Sequence, residues 1–208
     1  MSLNVISVPP IKGKTPQGLI VLLHGWGANA QDLAPLASML GLPEFQFLFP
    51  NAPFPHPYAP PGSLMWYDLE KRDAQQLAAS RQQLLDWLGT LAQETGVPSE
   101  RTILGGFSQG GAMTLEVGLS LPLAALVVLS GYLHPRTQSD AASAAPIFMA
   151  HGRQDPVVPL TAAQQAKESL IAMGVALEYQ EFDMGHEIRP EVLSLLRDFV
   201  LKHVCDRT

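Results

Sequence analysis

The sequence has one cysteine, Cys205, so no disulfide can close within the chain and no group of thiolates can hold a metal. Its six histidines show no ligand spacing such as H-E-x-x-H, and no metal site is expected. Basic residues are scarce: 13 Lys and Arg stand against 19 Asp and Glu in 208 residues, a net charge of −6. That balance provides no basic surface for a phosphate backbone and excludes nucleic acid as the expected partner. Long apolar runs are missing too, and with them any expected integral membrane association. The first residues, Met1-Ser2-Leu3-Asn4-Val5-Ile6, have neither the basic start nor the apolar run of a secretory signal, so a cytoplasmic location is expected.

Apolar residues are plentiful at 47%, enough for one substantial core, and the expected organisation is a single domain over residues 1–208. Short apolar runs alternate with longer segments of helical period, which argues for an α/β fold with a mostly parallel central sheet. Strands are expected at Asn4–Val8, Leu19–His24, Gln46–Phe49, Thr102–Phe107, Ala125–Ser130, Pro146–His151 and Ala176–Phe182. Between them, Leu77, Leu84, Leu85, Leu88 and Leu91 share one helical face. Val192, Leu195, Leu196, Phe199 and Val200 share another, and both stripes read as core-facing. The proline-rich stretch from Pro50 to Trp66 can be neither a helix nor a central strand and is expected to be a long surface loop. A second irregular stretch, Thr137 to Ala145, is small and polar.

Gly106-Phe107-Ser108-Gln109-Gly110 fits G-x-S-x-G between an expected strand and an expected helix, the context that gives this motif meaning. Small residues on both sides of Ser108 would let the chain turn sharply and leave the hydroxyl projecting at the sheet's carboxyl edge; a glycine-rich turn with a capping serine is the plainer alternative. A serine nucleophile needs a base, and in the order Ser, acid, His only His186 and His203 follow the expected acid, Asp155. His203 lies inside the C-terminal helix, which leaves His186. Asp155 emerges from the loop after the strand that ends near Ala150, whereas Glu116 and Glu168 fall on helices and Glu178 and Glu181 within a strand. Asp183, close to His186 in sequence, is its rival. The oxyanion formed in acyl transfer needs N–H donors, expected from Gln109 and from Trp26 in the loop His24-Gly25-Trp26-Gly27. His24 itself reads as a structural histidine.

With these residues in order, the chain resembles the phospholipase/carboxylesterase family, which includes small bacterial carboxylesterases and acyl-protein thioesterases. The resemblance rests on Leu23-His24-Gly25-Trp26-Gly27, Pro50-Asn51-Ala52-Pro53, Trp66-Tyr67-Asp68, Gly106 through Ala112, Leu129-Ser130-Gly131-Tyr132, His151 through Pro159 and Gly185-His186. It implies an α/β-hydrolase fold without a large cap domain, no cofactor, and the same Ser108, Asp155, His186 triad. It also implies that Leu64, Met65 and Trp66 bind the apolar part of the substrate. Where the family often has Gly-Leu-Gly-Asp, this chain has Gly25-Trp26-Gly27-Ala28.

The expected function is thus a serine carboxylesterase acting on small or lipid-like acyl esters, with a homodimer left open. Lysophospholipase and acyl-protein thioesterase activities stand as alternatives, and a serine peptidase is a weaker one for want of room for an extra domain. The non-enzymatic rival is a ligand-binding protein on a hydrolase scaffold. If an imidazole is the base, activity should rise as it loses its proton, near the reference value of ~6.5.

Overall fold

The computed structural model describes residues 3–11, 15–135 and 145–205. The polar stretch expected at 137–145 lies outside the described residues, apart from Ala145. The sheet has seven strands in the order β1-β3-β2-β6-β7-β8-β9: β1 (Val5–Val8), β2 (Leu19–Leu23), β3 (Gln46–Pro50), β6 (Thr102–Phe107), β7 (Ala125–Leu129), β8 (Ile147–Gly152) and β9 (Leu177–Phe182). Every expected strand is present to within a residue or two at its ends. All neighbours are parallel except β1, which runs antiparallel to β3 at the edge.

Why the central strands are almost wholly apolar follows from what covers them. Leu19, Val21 and Leu23 of β2, Leu126 and Val128 of β7, and Ile147 and Met149 of β8 point into one core layer. There they meet α3 (Ala74–Thr95), α4 (Gln109–Gly118) and α5 (Leu160–Ala172) through residues such as Leu84, Leu88, Met113 and Leu170. The alternate residues Ile20, Leu22, Val127, Phe148 and Ala150 point into the other layer. That side is closed by two four-residue helices, α1 (Ala30–Leu33) and α2 (Leu36–Met39), and by α6 (Pro190–Val204) through Val192, Leu196, Phe199 and Val200. A strand buried on both faces has no polar side to alternate with. The expected helical stripes hold, with the exception that Leu195 is exposed and Leu193 is buried in its place.

The Pro50–Trp66 stretch differs from the expected surface loop. Phe54–Pro55 (β4) and Leu64–Met65 (β5) pair antiparallel in a small separate ladder, and its C-terminal end dives into the core, with Trp66 completely buried.

This topology positions the site. From β2 the chain moves outward to β3 on one side, and from β6 it moves outward through β7, β8 and β9 on the other. A crevice forms where strand order reverses, beyond the carboxyl ends of β2 and β6, the common ligand position in open α/β sheets. Leu23 at the end of β2 stands opposite Gly106 of β6, so the loops after these strands leave side by side.

Candidate active site

Ser108 joins β6 to α4 with φ 55° and ψ −118°, a conformation that L-residues rarely adopt. Its flanking glycines are a steric requirement: a β-carbon on Gly106 would lie 2.3 Å from the Gly110 carbonyl, and one on Gly110 only 2.0 Å from Leu23 O. Both obstacles are backbone, so neither can swing aside. Gly110→Ala is accordingly expected to destabilise the protein by about 3 kcal/mol or more, seen as a lower urea midpoint at unchanged slope. The Ser108 N–H donates to Leu129 O at 2.8 Å, which pins the turn to the next strand. Its hydroxyl makes no capping bond to α4, and the capping explanation of this serine therefore fails.

Asp155 follows β8, and its side chain is fully buried. Oδ1 accepts the N–H groups of Val157 and Val158 at 2.8 and 2.9 Å, and Oδ2 accepts His186 Nδ1–H at 2.7 Å. Burial pushes this carboxyl's pKa up, but the bonds from His186 and the two N–H groups outweigh it and hold it below the usual carboxylate value. The rival Asp183 is instead paired with Arg153 at 2.7 Å and is largely exposed. His186 hangs between β9 and α6, its ring 4.6 Å from that of Phe107, the residue before Ser108. Gly152 permits this closeness, since a β-carbon there would sit 2.3 Å from Gly185 O. Among the described residues neither Ser108 Oγ nor His186 Nε2 has a hydrogen-bond partner, and both residues line one cleft of about 1340 Å³. His203, set aside on sequence, packs its ring on Phe199 of the last helix.

Trp26 also lines the cleft, and Gln109 begins α4 directly after Ser108. Neither backbone N–H has an acceptor among the described residues, so both donors remain unspent. Leu64, Met65 and Trp66 are not among the residues that line this cleft. Leu64 and Trp66 instead brace the loop after β2 and the start of α4 from behind. Leu64 O accepts from Gly27 N and Leu64 N donates to Ala28 O, while Trp66 gives its indole N–H to His24 O at 2.9 Å. The Trp66 N–H bonds Gln109 Oε1, and Gln109 Nε2 bonds Tyr67 O. A buried indole with a satisfied N–H is an anchor, and substrate cannot reach it.

His24 is the structural histidine the sequence suggested. It is fully buried; its Nδ1–H donates to Gly25 O at 2.8 Å and its Nε2 accepts from Ala52 N at 3.0 Å. Burial lowers its pKa from 6.5 despite opposing contributions from Gly25 O and Asp32. The unfolded chain therefore binds this proton first as pH falls. The stability that His24 contributes is complete above about 6.5 and is lost as pH drops through the lower folded-state value. Urea midpoints measured from pH 7.5 to 5 should decline, and His24→Asn, which cannot titrate there, should flatten that part of the curve.

Sequence reasoning missed the far wall of the cleft. Tyr132, Leu133, His134 and Leu69 form part of it, and α5 with its C-cap Met173 contributes a stripe of mostly small residues: Ala162, Gln165, Ala166, Ser169 and Ala172. Behind this wall Tyr67 OH meets Tyr132 OH at 2.5 Å and His134 Nε2 at 2.7 Å, and His134 Nδ1 faces Glu116 at 3.1 Å. Burial, reinforced by its neighbour Tyr132, pushes the Tyr67 phenol well above its usual pKa, so it serves as a neutral hydrogen-bonding group. For α5 the sequence signal was helical spacing, which looks the same for a cleft wall as for a core face.

The profile of the phospholipase/carboxylesterase family matches residues 7–204. The acyl-protein thioesterase 1 of Neurospora crassa is 30% identical over 215 residues, covering 89% of this chain and 86% of its own. That of Kluyveromyces lactis is 33% identical over 189 residues, covering 81% and 82%. The crystal structure of esterase PE8 superposes with a TM-score of 0.89 at 31% identity, covering 98% of this chain and all of that one. A Bacillus cereus carboxylesterase, at 19% identity, shares the fold with a TM-score of 0.81 over 97% and 94% of the two chains. The chain belongs to the phospholipase/carboxylesterase family and is a serine hydrolase of the α/β-hydrolase fold.

Proposed function

We propose that the protein hydrolyses acyl esters through an acyl-enzyme on Ser108, with His186 as general base and acid and Asp155 as the group that orients it. The observation that carries this reading is a strained serine sharing one cleft with a histidine whose other ring nitrogen is held by a buried carboxylate. His186 Nε2 takes the Ser108 proton as Oγ attacks the ester carbonyl, and the Gln109 and Trp26 N–H groups receive the oxyanion. Collapse of the tetrahedral intermediate expels the alcohol, protonated by His186. Water, deprotonated by the same imidazole, then releases the acid. Asp155 stays ionised throughout, offsetting the imidazolium charge.

The acyl chain lies along α5, whose lining stripe from Ala162 to Met173 spans roughly 16 Å at 1.5 Å per residue. A groove of that length suits a medium or long chain, and the relatives named acyl-protein thioesterase make a thioester a second substrate class to test. The experiment is a series of chromogenic esters from acetyl to long-chain. The wild type is expected to show an optimum beyond the short esters. Ser169→Trp, which fills the far part of the groove, should shift the optimum to shorter chains with acetyl ester turnover retained. An unchanged profile in that variant would remove α5 from the acyl site.

A further inference from the structure

β8 reads Ile-Phe-Met-Ala-His-Gly, and His151 is its only side chain with a polar group. His151 is completely buried and lies outside the cleft lining. An imidazole there gives up the packing that an apolar residue would gain, and its Nδ1 has no hydrogen-bond partner among the described residues. The other nitrogen is well used. Nε2 lies 2.8 Å from Val158 O, and a carbonyl can only accept, so Nε2 carries the hydrogen. The same nitrogen is 3.5 Å from Asp155 Oδ2.

Val158 is thereby held at both of its backbone groups, its N–H by Asp155 Oδ1 and its carbonyl by His151. Asp155 in turn has its two oxygens committed to Val157, Val158 and His186. A small rotation of the 155–158 turn would carry Oδ2 off the line of His186 Nδ1–H. We propose that His151 is a positioning residue for the acid. Its Nε2–H fixes the Asp155–Val158 turn in the register that meets His186, and it adds a favourable N–H dipole beside Oδ2. The role rests on the triad reading above and acts entirely through Asp155.

The test uses the full chain, with His151→Leu and His151→Gln compared to wild type on a nitrophenyl acetate substrate. Glutamine can place an amide N–H near the position of Nε2, whereas leucine cannot. His151→Leu is expected to lower kcat about 10- to 100-fold with KM within about 2-fold, the pattern of a misaligned catalytic group. The low-field proton resonance of His186 Nδ1–H should move upfield or vanish in this variant. His151→Gln should recover kcat to within about 3-fold of wild type and restore the resonance. Full kcat with an unchanged resonance in His151→Leu would overturn the proposal, as would equal losses in two folded variants. A wild-type 15N spectrum showing His151 protonated at Nδ1 instead of Nε2 would overturn it even if His151→Leu failed to fold. Ser108→Ala, measured alongside, separates the two levels. An active Ser108→Ala overturns the triad itself, whereas an inactive one beside a fully active His151→Leu overturns only the positioning role.

Discussion

Ser108→Ala is expected to reduce kcat for ester hydrolysis by roughly 10⁴-fold or more while leaving the fold intact. The size follows from what the substitution removes. Without Oγ there is no acyl-enzyme, and His186 can only activate water against a carbonyl positioned for a different attack. The oxyanion donors and the cleft survive, so residual turnover above the uncatalysed rate should persist. Stability should change little, because the Ser108 hydroxyl neither caps α4 nor bonds any described residue. Urea unfolding of both proteins and kcat on one chromogenic ester are the measurements. A variant that unfolded at much lower urea would make the activity loss uninformative about chemistry, and the structure predicts that this does not occur.

The second large effect is expected from Asp155→Asn, at roughly 10³- to 10⁴-fold in kcat. The surroundings dictate how an amide would sit. The N–H groups of Val157 and Val158 both need an acceptor, so the asparagine oxygen must take the place of Oδ1. Its NH₂ then faces His186 Nδ1, where a donor now meets a donor. The imidazole answers by moving its hydrogen to Nε2, and the nitrogen that should accept the serine proton is already occupied. This variant should bind substrate with nearly unchanged KM and show a changed histidine tautomer by 15N NMR. Asp155 also makes the fold sensitive to strong acid. With its pKa depressed, the stability it contributes is present above the unfolded value of about 3.9 and is lost as pH falls through the lower folded value.

Much of this arrangement was legible in the sequence because it follows from local rules. Fully apolar β2 and β7, and a β8 that is apolar but for His151, require helices on both faces, which leads to a parallel sheet. The triad candidates were legible because each stands in the loop after a strand, and in a parallel sheet those loops share one edge. Asp155 could be told from Asp183 only by its place beyond β8; the three-dimensional reason is that Asp183 is spent on exposed Arg153.

What sequence could not supply was facing. Leu64 and Trp66 neighbour the site, but no local rule tells whether a residue lines a cleft or braces its wall, and their hydrogen bonds brace it. The chain linking Tyr132, Tyr67, His134 and Glu116 joins segments as far as 67 residues apart, with no spacing that announces it. His151 belongs to a motif visible in the sequence, yet its contact with Val158 depends on how the chain turns after Gly152.

The most direct test of the central claim is to treat the protein with a fluorophosphonate ester, which traps activated serines covalently, and to map the adduct by peptide mass spectrometry. The account predicts one stoichiometric adduct on Ser108, formed together with loss of esterase activity and absent in Ser108→Ala. An adduct on another residue, or full inhibition with Ser108 unmodified, would contradict it.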